Sequence, residues 1–142
     1  MQKKEEMNTA EIKTLLKERT PKLKLMLKIC AHCGLCADSC FLYRTRGKLP
    51  EYMPSHKFIN SIGKLYKKKG KVSETEMEEI RDIVWKRCVL CTRCYCPLGI
   101  DIPDMLAWGR TICRSQNIVY NFTKEENAKD PVTGKPLCAE KI

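Results

Sequence analysis

Four cysteines crowd into Cys30-Ala31-His32-Cys33-Gly34-Leu35-Cys36-Ala37-Asp38-Ser39-Cys40. Their spacing, C-x2-C-x2-C-x3-C, limits what the chain can fold around. Three thiolates two residues apart wrap one tight loop around an iron–sulfur cube, and a fourth is displaced onto the start of a helix. A second group follows at Cys88, Cys91, Cys94 and Cys96, with Pro97 directly after it. Two dense groups thus take up most of the ten cysteines.

The loop's N–H groups can point at the sulfides of a cube, and with burial and net charge they set its reduction potential. Gly34 follows the second cysteine, where the backbone must approach closely or take positive φ. In two-cluster proteins the fourth cysteine of each run ligates the other cluster. Transferred here, Cys30, Cys33, Cys36 and Cys96 hold one 4Fe–4S cluster, and Cys88, Cys91, Cys94 and Cys40 hold the second. The second run is two residues shorter before its last cysteine than the common pattern, so the reach of Cys96 is open. Cys113 and Cys138 are substitute ligands on paper, and otherwise a buried and an exposed free thiol. Zinc is the rival reading, because Cys33–Cys36 and Cys88–Cys91 are also C-x2-C pairs. It leaves Cys30, Cys40, Cys94 and Cys96 to explain, and use of all eight demands two sites.

So many cysteines in a secreted chain would suggest a disulfide framework. The start, Met1-Gln2-Lys3-Lys4-Glu5-Glu6, is charged and no apolar signal segment follows, which predicts a cytoplasmic chain with reduced thiols. No apolar run approaches the roughly 20 residues of a membrane helix, so the chain is expected to be soluble, or peripheral at the inner face of a membrane through partners. The 142 residues suit one domain, with a small core unless cofactors help. The net charge of +10 favours acidic partners, or compensates anionic clusters. Lys67 to Lys71 lack the interleaved aromatics of a nucleic-acid surface, so a solvated face is the default there. His32 reads as a surface group or one supporting the ligands, and His56 as a helix-start residue. No phosphate-binding glycine loop, nucleophile motif or paired carboxylates are visible, so no catalytic site is expected.

The pattern predicts an all-α chain, with two cysteine loops between short helices. Residues 1–20 read as a polar helical extension with an apolar stripe at Ile12, Leu15 and Leu16, ended or restarted at Thr20-Pro21. Residues 21–120 form the two-cluster domain, and 121–142 a flexible tail. Phe41 to Arg44 reads as a buried helical turn. Ser55 is expected to cap a helix carrying Phe58, Ile59, Ile62, Leu65 and Tyr66, stopped at Gly70. Ser73-Glu74-Thr75-Glu76 is a capping box opening a helix with Met77, Ile80, Ile83 and Val84 inside. Asp101-Ile102-Pro103-Asp104 starts a last helix, with Met105, Leu106, Trp108, Ile112 and Cys113 facing inward.

Three stretches together narrow the reading: Cys30 to Cys36, the helical spacer with Met53-Pro54-Ser55-His56-Lys57, and Cys96-Pro97-Leu98-Gly99-Ile100-Asp101. Over roughly residues 20–120 the chain resembles the heterodisulfide reductase iron–sulfur family, its small C-type subunit and the N-terminal part of its larger D-type proteins. The resemblance implies an α-helical ferredoxin with two 4Fe–4S clusters, relaying single electrons within an oxidoreductase complex of an anaerobic microbe. Implied partners are a flavin- or quinone-linked donor and a catalytic thiol/disulfide subunit, with no nucleic acid. The sequence departs from the family in having no Cys-Cys dipeptide, so disulfide reduction is not assigned to this chain. The alternative is a zinc-binding interaction module whose basic face grips nucleic acid or an acidic protein.

Overall fold

The computed structural model describes residues 7–122. The fold is all-α, with no strand among the described residues. Seven helices follow in order: α1 (Thr9–Ile29), α2 (Leu35–Asp38), α3 (Phe41–Thr45), α4 (Pro54–Asn60), α5 (Ile62–Lys67), α6 (Glu74–Trp85) and α7 (Ile102–Ser115). A 3-10 turn at Pro50–Tyr52 precedes α4. The two cysteine loops lie between α1 and α3, and between α6 and α7.

Helix α7 is the hub, packing against α6, α4, α1 and α5. Its inner face buries Met105, Leu106, Trp108, Ile112 and Cys113, as its periodicity predicts. Asp101 caps it, accepting from the N–H of Asp104. Asp104 then pairs with α1, taking Arg19 Nη1 at 2.9 Å and Lys22 Nζ at 2.8 Å. Ser73 and Glu76 form the expected capping box on α6, which buries Met77, Ile80, Ile83 and Val84.

Four local expectations are corrected. Helix α1 runs unbroken through Pro21. Ile12 and Leu16 before the proline and Leu23 and Met26 after it all reach the core, and that burial outweighs the one backbone bond Pro21 cannot make. Ser55 does not cap its helix: Met53 occupies that position, Pro54 takes the first turn, and Ser55 is buried. The expected single helix divides at Ser61, whose φ of −104° and ψ of −94° are not helical and whose hydroxyl donates to Lys57 O at 2.6 Å. Finally, Phe41 to Arg44 does form a turn, but Phe41 stays exposed.

Gly70 stops the α5 segment as expected, at φ +74°. A Cβ there would meet Ile12 Cγ2 at 3.1 Å, so α1 also depends on this glycine. The expected tail lies outside the described residues beyond residue 122.

Candidate metal centre

Both cysteine loops use one backbone pattern. His32 and Gly34 take the left-handed conformation in the first, at φ 52° and 78°, and Leu90 and Thr92 in the second, at φ 54° and 62°. Both pairs stand two and four residues after the loop's first cysteine, Cys30 or Cys88. The cysteine runs alone hinted at this repeat; the backbone completes it. Alternating hands turn successive N–H groups into a concavity that suits anions, iron–sulfur centres included. Non-glycine residues there are strained, and such strain persists where surrounding structure demands it.

In the first loop, Cys30, Cys33 and Cys36 line one hollow, and Cys96 joins them from the second loop. The hollow encloses about 370 Å³ of empty space, part of it open to solvent. Phe58, Ile100 and Ile102 form much of its apolar wall, and no lysine or arginine lines it. The short Cys94-Tyr95-Cys96 step therefore still brings Cys96 to the first group. Ser39 is the brace: its Oγ accepts from the Tyr95 N–H at 3.0 Å and donates to Cys36 O at 3.1 Å.

Cys40, Cys88, Cys91 and Cys94 form the second gathering. Burial chiefly pushes the Cys94 thiol up to about 12, and Cys88, Cys40 and Cys91 each add to the rise while Lys57 opposes it. Burial also raises Cys88, against the Leu90 N–H that donates to its Sγ at 3.4 Å and the nearby charges of Lys57 and Arg110. Buried thiols that resist ionisation become thiolates when a metal compensates the charge. Among the described residues, no three His, Cys, Asp or Glu side chains are grouped to hold a single ion.

Two residues that pattern reading missed stand beside this second group. Lys57 is 2% exposed, and its Nζ lies 3.5 Å from Cys40 Sγ. Arg110 donates from Nε to Val84 O at 2.8 Å and from Nη2 to Cys88 O at 2.6 Å. The available signal for Lys57 was its place next to Phe58 on a helix opening at Pro54. Cys113 is buried against Met77, its Sγ 3.7 Å from Sδ, and does not line the hollow. Burial pushes its thiol up to about 12. His32 is exposed at the rim, and His56 sits in the first turn of α4. Cys138 lies outside the described residues.

Residues 26–100, which hold all eight grouped cysteines, match the 4Fe-4S dicluster domain family. The chain is 31% identical over 119 residues to the Hdr-like menaquinol oxidoreductase iron-sulfur subunit 2 of Archaeoglobus fulgidus. It is 32% identical over 119 residues to the Hdr-like menaquinol oxidoreductase iron-sulfur subunit of Archaeoglobus profundus. Each alignment covers 74% of this chain and 21% of the relative, so the chain spans about a fifth of the length of these curated relatives. No solved structure matches it.

Proposed function

The chain belongs to the 4Fe-4S dicluster domain family, and from that membership we propose that Cys30, Cys33, Cys36 and Cys96 hold one cluster and Cys88, Cys91, Cys94 and Cys40 the other. It is an electron-transfer iron–sulfur subunit with two 4Fe–4S clusters. The zinc-module alternative falls with the family.

The observation that carries the ligand assignment is Cys96 in the wall of the hollow made by Cys30, Cys33 and Cys36. Four thiol donors around an apolar space fit the ligand set of a cubane. Bound clusters supply one-electron chemistry at potentials the protein tunes. The chain's own groups do the rest. Thiolates bind, and the left-handed loop residues turn N–H groups inward. Phe58, Ile100 and Ile102 keep water off one side of the first site. The Ser39 brace holds the loops in register, which keeps the ligands of the two sites side by side.

The names of the relatives support a place in an Hdr-like oxidoreductase complex. Its other subunits, in this reading, are a flavin- or quinone-linked donor and a catalytic thiol/disulfide subunit, which hold the chain at the cytoplasmic face of a membrane. Among the described residues no helix is long and apolar enough to cross one. These 142 residues contain no Cys-Cys dipeptide, so this reading assigns them no disulfide reduction of their own.

The test is anaerobic purification with iron and sulfide analysis, then electron paramagnetic resonance after reduction. About eight irons per chain are expected. Cys96→Ala is expected to damage the site of Cys30, Cys33 and Cys36, and Cys40→Ala that of Cys88, Cys91 and Cys94. Two undamaged clusters in Cys96→Ala would remove the crossed assignment.

A further inference from the structure

Lys57 is among the most deeply buried large side chains of the protein. Among the described residues the one hydrogen-bond partner of its Nζ is Cys40 Sγ at 3.5 Å. An ammonium taken out of water is costly unless an anion faces it. Here the anion is supplied by the ligand thiolates. Cys88 and Cys94 also feel its charge. The guanidinium of Arg110, on the carbonyl of Cys88, adds a second cation on this side. The first hollow has neither, since its lining holds no lysine or arginine. Two sites with matching loops and thiol sets thus differ in charge.

We infer that Lys57 is a positioning residue for electron transfer: its buried ammonium, hydrogen-bonded to the Cys40 thiolate, raises the reduction potential of the second cluster above that of the first. Reduction adds negative charge, and a fixed cation beside a ligand sulfur stabilises the reduced state. When one electron is shared, the first cluster is left oxidised as the second is reduced, and the electron rests beside Lys57. This gives the two-site relay a direction built into the fold. The inference rests on the proposed ligand assignment.

The experiment uses the full chain, loaded anaerobically and titrated with dithionite through redox mediators, with both midpoints followed by electron paramagnetic resonance. Lys57→Met is expected to weaken electron uptake at one cluster at least tenfold, a fall of about 59 mV or more for one electron. The other midpoint should move by less than a third of that. Lys57→Arg, which keeps the charge, should restore the higher midpoint, and Lys57→Gln, which keeps a donor without charge, should resemble Lys57→Met. Equal movement of both midpoints, no movement, or an arginine variant behaving like methionine would overturn the inference. Should both neutral variants lose the second cluster's iron, Lys57 serves assembly instead and the tuning role is refuted. A wild-type chain without about eight irons would sink the proposed function itself, whereas full iron with unmoved midpoints sinks only the role of Lys57.

Discussion

Arg110→Met should loosen the second cysteine loop more than any other single change on α7 that leaves the ligands intact. Arg110 joins two elements. Its Nε satisfies Val84 O, one of the carbonyls that a helix C-terminus leaves without an internal partner, and its Nη2 holds Cys88 O where the loop begins. A cation there also complements the negative end of α6. Hydrogen bonds to charged groups contribute about 1.5–3 kcal/mol each. The side chain is only partly buried, so the lower figure applies, and two bonds give about 3 kcal/mol. The guanidinium also lies 5.4 Å from the Trp85 ring centre, but Arg114 covers the same ring at 5.5 Å and stays, so little is added. Methionine keeps the apolar stem. A loss of about 3 kcal/mol lowers the folded-to-unfolded ratio roughly a hundredfold. Anaerobic urea unfolding of the loaded chain measures it, and iron release to a chelator shows which cluster leaves first. The second cluster should be the one lost. Arg110→Lys, able to reach one carbonyl, should forfeit about half as much. A loss under about 1 kcal/mol, or earlier release of the first cluster, would refute the clamp.

Two further outcomes follow from backbone and charge. Gly34→Ala meets no atom within 4 Å, so its whole effect is the left-handed φ of +78°; about 1–2 kcal/mol of strain, less about 0.4–1 for a stiffer unfolded chain, leaves about 0.5–1 kcal/mol of destabilisation, readable as a lower melting temperature of the loaded chain. The hydrogen bond from Lys68 and then the Ser73 N–H hold the Glu76 carboxyl down to about 2. A depressed carboxylate stabilises above its unfolded pKa of about 4.3 and loses that contribution as pH falls towards 2, so Glu76→Gln should flatten the acid limb of stability between those values. The urea midpoint of the metal-free chain, followed by circular dichroism of its helices, measures the slope.

The parts of this fold legible beforehand are those whose cause is local. Ser73 and Glu76 satisfy each other across three residues, and Gly70 accepts a backbone hand that other residues resist, so both mark helix ends wherever they occur. The cysteine groups are legible for the same reason, because ligand spacing is a property of one loop. What escaped depends on partners distant in sequence. Pro21 is carried through α1 only because Leu23 and Met26 find the same core as Ile12 and Leu16. Lys57 shows its place only once Cys40 lies against it, and Arg110 only once Val84 and Cys88 turn their carbonyls to it. Cys96 was in doubt because loop length was counted along the chain, while the contact beside it comes from the Ser39 hydroxyl, far upstream, which accepts from the Tyr95 N–H.

That brace also changes what the clusters are for. A chain of this size with eight grouped cysteines invites the view that iron and sulfide tie its halves together. Yet one apolar core already takes Ile12 and Leu23 from α1, Phe58 and Ile62 from the middle, and Met105 and Ile112 from α7. Side-chain packing therefore joins the halves, and Cys36 and Cys88 of the two loops are themselves part of that core. Crossed as proposed, the cysteines would then serve a different purpose from stability. In the proposed assignment Cys40 follows the first loop and Cys96 closes the second, so each site would borrow a ligand from the other's loop. Neither loop could then shift without moving a ligand of both clusters. The helical core sets where the loops begin and end, and cysteines exchanged as proposed would hold the two centres at one separation, which is what a one-electron relay requires of its scaffold.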